Sequence, residues 1–170
     1  MKTTLCAILG LLTLHTSQAE SRPNSGGGNF GIVPMPYEIK TGEGNPFVIT
    51  QETVLVVRGA EAEKCAAYLQ ERLRKSCGLD LKTGTATSGK AGVLTVSDDA
   101  VAFSENDAYR LESSAEGITI AAKTGRGLFY GVQSLLQLLP PAVYGDKVQA
   151  GIELKVPALS INDKPSMDRM

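Results

Sequence analysis

The stretch from Gly125 to Pro140 constrains the fold more than any other part of the chain. Apolar residues recur in it at intervals of three and four, which predicts one face of a helix. These residues are Leu128, Val132, Leu135 and Leu139. The glycines at its start and the Pro140–Pro141 pair at its end are ordinary helix limits. Phe129, Leu136 and Leu138 widen the apolar face until little polar surface remains, so we expect a buried helix at the centre of the core.

A second helix is predicted from Glu61 to Ser76, with Gly78 as its C-terminal cap. It lies between strands predicted at Thr53–Val57 and Val93–Ser97, which indicates a parallel crossover. Tyr109–Ala122 reads as an antiparallel hairpin around a short turn. Further extended segments are predicted at Ile32–Ile39, Phe47–Thr50, Leu79–Lys82 and Leu154–Ile161. We therefore expect an α/β fold (an α+β sandwich), with a mixed β-sheet and two main helices packed on one face.

The N-terminus has the pattern of a secretory signal peptide. Lys2 supplies a positive charge, Leu5–Leu14 is apolar but too short to span a bilayer as a helix, and small residues frame a cleavage site at Ala19. We expect residues 1–19 to be removed and the protein to be secreted or periplasmic, with no membrane association after cleavage. Residues 20–31 are rich in Ser, Asn and Gly and predict a flexible lead-in. The alternative is an N-terminal helix of the fold.

Composition narrows the chemistry that this chain can perform. Cleavage after Ala19 would remove the single histidine, His15, and with it histidine-based catalysis and histidine-ligated metal sites. The formal net charge is −1, which offers no basic surface for nucleic acid. The sequence contains no nucleophile–base pair, phosphate loop or metal-ligand spacing that we recognise. We therefore assign no catalytic, cofactor-binding or metal-binding residue, and expect no cofactor and no nucleic-acid partner.

Three local clusters could suggest chemistry, but each has a simpler structural explanation. Cys65 and Cys77 are twelve residues apart on one predicted helix, roughly 18 Å, whereas a disulfide needs Cα atoms within about 7 Å. We predict two buried free thiols, unless the helix breaks between them. Asp98 and Asp99 follow a strand, and adjacent side chains there point to opposite faces, so a turn is favoured over a catalytic or metal site. The Arg72–Lys75 cluster is expected to be a solvated helix face.

Three segments together resemble the N-terminal, non-catalytic domain of family 20 glycoside hydrolases, the β-N-acetylhexosaminidases. They are Asp107-Ala-Tyr-Arg-Leu111, Gly117-Ile-Thr-Ile-Ala-Ala122 and Gly127-Leu-Phe-Tyr-Gly-Val-Gln-Ser-Leu-Leu-Gln-Leu-Leu-Pro140. The family usually has Ala-Gly before the Phe-Tyr-Gly element, where this chain has Arg126-Gly127. The resemblance covers about residues 31–165 and implies the same α/β arrangement, with the domain itself at residues 32–162.

The resemblance also implies that the catalytic residues lie outside this chain. In the family the substrate's own acetamido group is the nucleophile, and an adjacent Asp-Glu pair in a (β/α)₈ barrel assists it. No Asp-Glu dipeptide occurs here, and a barrel needs about 250 residues. Residues 163–170 begin like the family's Pro-Arg-Phe-x-x-Arg-Gly linker and then depart from it, with Ser166 and Met167 in place of Arg-Phe. The sugar-binding arginine of that linker falls on Met170, with Arg169 one place early, and we assign neither as a site.

The function implied is that of an accessory domain, itself inactive, of an exported β-N-acetylhexosaminidase truncated before its barrel. The parent enzyme would remove terminal N-acetylhexosamine residues from glycans, and the (β/α)₈ barrel would be the partner of this domain. The alternatives are a stand-alone carbohydrate-binding or interaction module, or the accessory domain of another glycosidase. Aromatic residues make up only 5% of the chain, which supplies a sugar-stacking platform poorly.

A final expectation concerns the surface that would face the barrel. We expect the apolar residues between Leu154 and Met170 to be exposed there and to make the domain self-associate, with Asp163–Met170 frayed. They are Leu154, Val156, Leu159, Ile161, Met167 and Met170. The alternative is that this segment packs on the domain's own sheet.

Overall fold

The computed structural model describes residues 30–85, 92–98 and 105–164, which form one α/β domain. Within these ranges there are nine strands and two α-helices. The strands are β1 (Glu38–Thr41), β2 (Phe47–Ile49), β3 (Val54–Arg58), β4 (Lys82–Thr83), β5 (Val93–Ser97), β6 (Tyr109–Ser114), β7 (Gly117–Ala122), β8 (Leu154–Val156) and β9 (Leu159–Asp163). The helices are α1 (Ala60–Cys77) and α2 (Gly125–Leu138), and a short 3₁₀ helix follows at Pro141–Tyr144. The expected signal peptide (1–19) and the last six linker residues (165–170) lie outside the described residues.

Seven of the described strands form one mixed sheet in the order β1-β9-β6-β7-β5-β3-β4. Strands β4, β3, β5 and β7 run parallel to one another, whereas β7–β6, β6–β9 and β9–β1 are antiparallel pairs. Strands β2 and β8 pair separately as a two-stranded sheet. The predicted mixed sheet is thus confirmed, and so are the parallel crossover through α1 and the β6–β7 hairpin.

Both helices lie on the same face of the sheet. Helix α1 contacts β3 and β5, helix α2 contacts β6 and β7, and the two helices contact each other. The sheet residues beneath them are fully buried apolar side chains that alternate with outward-facing polar ones, as the period of two requires. Those beneath the helices include Leu55, Leu94, Leu111, Ile118 and Ile120. The fold class expected from the sequence is therefore confirmed.

Helix α2 begins at a local cap and approaches the sheet closely. The Thr124 hydroxyl accepts a hydrogen bond from the Gly127 N–H at 3.3 Å, which satisfies one of the free donors of the first turn. A Cβ atom added at Gly131 would lie 2.6 Å from the Ile120 side chain, and one at Gly127 would lie 2.5 Å from the Ala108 carbonyl oxygen. Both positions therefore need glycine because the helix and the hairpin leave no room for a side chain.

The other face of the sheet is polar across β6, β9 and β1. Arg110 Nε donates to Asn162 Oδ1 at 2.9 Å, Asn162 Nδ2 donates to Glu38 Oε2 at 3.1 Å, and Lys40 Nζ lies 3.0 Å from Glu38 Oε1. These side chains form a ladder across β6, β9 and β1. Hydrogen bonds from Lys40 and then Asn162 lower the pKa of the Glu38 carboxyl. This face can remain in water without a covering layer.

Two expectations about burial are wrong. The segment Leu154–Ile161 is not a single exposed extension, because it forms β8 and β9 with its four apolar side chains buried. Strand β9 lies inside the sheet between β1 and β6, so its own sheet covers it. Helix α2 in turn is not buried on all sides, since Phe129 and Tyr130 are exposed on its outer surface.

The remaining differences between the observed elements and those predicted from the sequence are small and local. Strand β1 begins at Glu38, at the end of the predicted Ile32–Ile39 segment, and it lies at the edge of the sheet, where the preceding prolines interrupt no pairing. Strand β4 begins at Lys82, because Leu79 and Leu81 instead pack on the core as the chain leaves α1. Gly78 takes the left-handed conformation expected of a C-terminal cap.

Candidate functional site

Asp98 serves as a helix cap. Residue Gly59, at the start of α1, has no side chain to offer, and Asp98 Oδ2 accepts a hydrogen bond from the Glu61 N–H at 3.2 Å. A carboxylate at a helix N-terminus is also favoured by the helix dipole. This contact accounts for Asp98 without any catalytic role, while Asp99 lies outside the described residues.

Cys65 and Cys77, the cysteines of the described residues, are free thiols, as predicted. Cys65 is buried and donates a weak hydrogen bond to the Gly125 carbonyl oxygen at 3.4 Å. Burial raises the pKa of this thiol, and the Glu61 carboxylate adds to that effect, so Cys65 resists ionisation. Cys77 is only half-buried, so the prediction of burial is correct for Cys65 alone.

The basic cluster on α1 divides into two parts. Arg74 and Lys75 are exposed and pair with Glu71, at 2.8 and 3.1 Å, so they form the expected solvated face. Hydrogen bonds from Arg74 and then Lys75 lower the pKa of the Glu71 carboxyl. Arg72 instead turns towards the 3₁₀ helix, where its Nη2 donates to the Tyr144 carbonyl oxygen at 3.1 Å. Its guanidinium also lies 5.8 Å from the Tyr144 ring centroid.

Two further kinds of site are absent from the described residues. Among residues 30–85, 92–98 and 105–164, no group of three or more His, Cys, Asp or Glu side chains could hold a metal ion. No helix in the described part of the chain combines the length and the apolar character that crossing a bilayer requires.

The prominent surface feature is a group of aromatic side chains exposed on α1, α2 and the 3₁₀ helix. Tyr68, Phe129, Tyr130 and Tyr144 are each between 39% and 43% exposed. The ring centroids of Tyr68 and Phe129 are 5.6 Å apart, and those of Phe129 and Tyr130 are 6.4 Å apart, within the range of favourable aromatic pairs. Gln133 Nε2 donates to the Tyr68 hydroxyl at 3.2 Å and fixes the ring. We call these four residues the aromatic face.

A groove borders the aromatic face. It has a volume of about 710 Å³ and lies between residues 32–37 and the outer side of α2. Val33 and Met35 form one wall and are 75% and 68% exposed, while Phe129 and Tyr130 belong to both the groove and the aromatic face. At one end the groove reaches Asp163 and Lys164, where the chain leaves β9.

A buried polar pair supports the groove from below. The Tyr109 and Ser134 hydroxyls lie 2.6 Å apart, and both residues line the groove while their side chains are buried. Burial raises the pKa of the Tyr109 phenol well above its usual range, although the hydrogen bond with Ser134 opposes this shift. The phenol therefore stays neutral and holds the α2 backbone against β6.

The aromatic face cannot be read from the apolar periodicity. That pattern groups Phe129 with the core stripe because aromatic and aliphatic residues count alike in it. A better signal is Tyr130, which is two residues from both Leu128 and Val132 and therefore lies on the opposite side of the helix from that stripe, with Phe129 beside it. Their partners Tyr68 and Tyr144 are distant in sequence, and only the fold brings the four together.

A mixed sheet with both helices packed on one side, and aromatic side chains exposed on the outer surface of the helix layer, defines a two-layer α/β domain. The family description "Glycosyl hydrolase family 20, domain 2" matches residues 29–164. The chain therefore belongs to glycosyl hydrolase family 20 and corresponds to domain 2 of that family.

Individual relatives agree with this membership. The chain is 30% identical over 164 residues to a beta-hexosaminidase of Porphyromonas gingivalis, covering 95% of this chain and 21% of the relative. It is 32% identical over 137 residues to a beta-N-acetylhexosaminidase of Cellulomonas fimi, covering 79% and 26%. The structure of the Streptomyces plicatus N-acetyl-beta-hexosaminidase matches with a TM-score of 0.69 and 34% identity, over 79% of this chain and 26% of that one. The chain thus spans a fifth to a quarter of the length of these enzymes and matches a small accessory domain of them.

The Tyr109–Ser134 pair can be tested by a double-mutant cycle. Ser134→Ala leaves the buried Tyr109 hydroxyl without its partner, so the free energy of unfolding should fall by about 1–3 kcal/mol. Tyr109→Phe with Ser134→Ala removes both polar groups and should be less destabilised than Ser134→Ala alone. Urea unfolding of the single and double variants measures the coupling. Two strictly additive effects would show that the two hydroxyls do not act as a pair.

Proposed function

We propose that this chain is the accessory domain of an enzyme that hydrolyses terminal N-acetylhexosamine residues of glycans, and that the domain is itself inactive. The observation that carries the proposal is the extent of the match. The family domain spans all of the described residues, yet the matched segments are only 21% and 26% of the length of the two enzymes. The activity of those enzymes would then reside in a (β/α)₈ barrel for which this domain provides a packing partner.

We further propose that the protein is exported. Lys2, the apolar run Leu5–Leu14 and the small residues before Ala19 support a cleavable signal, and cleavage would create an N-terminus at Glu20. Expression of the gene in its host with mass spectrometry of the secreted and periplasmic fractions tests this. A mature N-terminus at Glu20 is expected, and a cytosolic chain that retains Met1 would contradict it.

The aromatic face is the surface best suited to dock the barrel. Tyr and Arg are enriched among the residues that dominate interface energetics, and here the Arg72 guanidinium lies 5.8 Å from the Tyr144 ring centroid. The opposite face of the sheet carries the polar ladder, which needs no cover. Exposed neighbouring aromatic rings in a helix layer support a further protein layer on that side. The docking surface is therefore the helix side and not, as the sequence suggested, the apolar residues of Leu154–Ile161, which are buried.

This docking surface predicts self-association of the isolated chain. Light scattering should give an average mass that rises with protein concentration, because association buries the exposed apolar surface of the aromatic face. Tyr68→Ser with Phe129→Ser should reduce this association, since it removes the central ring pair. Val148→Ser is the matched control: Val148 is 59% exposed but lies outside the aromatic face, and its replacement should leave association unchanged.

Two results would contradict this prediction. A wild-type chain that stays monomeric at high concentration would show that the aromatic face needs no cover. Association that responds to Val148→Ser but not to the double serine variant would place the contact elsewhere. Circular dichroism of each variant confirms that a change in mass does not reflect unfolding.

A second candidate function is a carbohydrate-binding module, favoured by one observation. Five exposed aromatic side chains lie near one another on the helix side, so the low aromatic content is concentrated where a sugar could stack. These are Tyr37, Tyr68, Phe129, Tyr130 and Tyr144. The side-chain amides nearby speak against sugar binding. Gln133 already donates to the Tyr68 hydroxyl and Gln137 already accepts from the Val33 N–H, so each has less hydrogen-bonding capacity left for a sugar.

Two measurements on the purified chain distinguish the candidates. A chromogenic N-acetylglucosaminide should show no turnover, and titration calorimetry with chitobiose should show no binding at millimolar concentration. Binding that is lost in Tyr130→Ala would establish the carbohydrate-binding module. Hydrolysis that copurifies with the chain through several steps would overturn the proposal of an inactive accessory domain.

A further inference from the structure

The segment before β1 is held in place at two separated points. The Val33 N–H donates to Gln137 Oε1 at 2.8 Å, which ties the segment to the last turn of α2. The Tyr37 N–H donates to Asp163 Oδ1 at 2.9 Å, which ties it to the end of β9. Between these points the segment is proline-rich and contributes no strand, so it depends on these side chains for its position.

The same segment contacts the point where the chain leaves the sheet. Lys164 Nζ lies 4.3 Å from the Tyr37 ring centroid, a cation–π distance. Two consecutive residues therefore contact Tyr37: Asp163 bonds to its backbone N–H, and Lys164 lies against its ring. Ile32 is buried at 7% exposure and anchors the segment in the core, whereas Val33 and Met35 stay on the groove side.

We propose that residues 32–37 act as a strap: a small cooperative unit that forms one wall of the groove and fixes the direction in which the chain leaves β9. The two hydrogen bonds and the Tyr37–Lys164 contact together hold the strap against α2 and β9. Breaking the contact at one end therefore increases the motion of the other end. The strap thereby couples the position of the groove wall to the position of the chain exit. This role rests on the proposed function only in one respect, that the chain beyond Lys164 leads to a partner domain.

The physical reason for cooperativity is the shortness and stiffness of the segment. Two prolines fix the backbone φ angle at positions 34 and 36, so few dihedral angles remain free between the two attachment points. A displacement at Val33 is therefore transmitted to Tyr37 rather than absorbed. Local openings of this kind are revealed by amide hydrogen exchange, which reports the free energy of opening residue by residue.

The experiment compares amide exchange and backbone order by NMR in variants of the full chain. Gln137→Ala removes the acceptor of Val33 without harming the helix, because alanine is a good helix former. It should speed exchange of the Val33 amide, and also that of Tyr37, by roughly threefold to tenfold, the range that one hydrogen bond supports. The order parameter of Lys164 should fall as well. Asp163→Ala, made at the other end, should speed exchange at Val33 in the same way.

Gln133→Ala is the matched control, because Gln133 is on the same helix but bonds to Tyr68 and not to the strap. In the Gln133→Ala variant, the amide exchange rates of Val33 and Tyr37 should equal those of the wild type. If Gln137→Ala affects only Val33 and Asp163→Ala only Tyr37, the two ends are independent and the strap does not exist as a unit. If Lys164 keeps its order in both variants, the strap does not fix the exit. Neither result depends on self-association or on glycan binding, so the strap and the proposed function can fail separately.

Discussion

The close packing of α2 on the β6–β7 hairpin is the contact on which the rest of the structure depends. Gly127 and Gly131 let the helix backbone approach Ala108 and Ile120, and the Tyr109–Ser134 hydrogen bond fixes the helix at that depth. Helix α1 then packs beside α2, and the strap bonds to its last turn. A helix held further from the sheet would lose all of these contacts together, because close-packed interiors do not tolerate small displacements.

The position of α2 also divides the surface into two unlike faces. The helix side carries the aromatic face and the groove, while the open side of the sheet carries the Arg110–Asn162–Glu38 ladder. Hydrophobic association is driven by apolar area removed from water. In the accessory-domain proposal, a partner domain would therefore cover the helix side, and the position of the helices would set the direction of assembly.

Much of this fold can be predicted from local pattern alone. The helices, the β6–β7 hairpin, strand β5 and the Gly78 cap depend on neighbours in sequence, and local pattern places each within a residue or two. The errors concern contacts between distant residues. Whether Leu159 and Ile161 are exposed depends on β9 entering between β1 and β6, and whether Phe129 is buried depends on what covers α2. The aromatic face, the groove and the capping role of Asp98 likewise join residues far apart in sequence, for which periodicity carries no information.

The place of β9 in the sheet has a consequence for how the domain is made. Strand β9 is the last of the described strands in sequence, yet it lies between β1, the first, and β6. Until β9 leaves the ribosome, β1 has no neighbour in the seven-stranded sheet and β6 has an open edge. Such open edges are sites of unwanted pairing with other chains. Because domains fold largely as units during synthesis, this one can close its sheet only when residues 159–163 have emerged, so any segment translated after them meets a domain that has only just been completed.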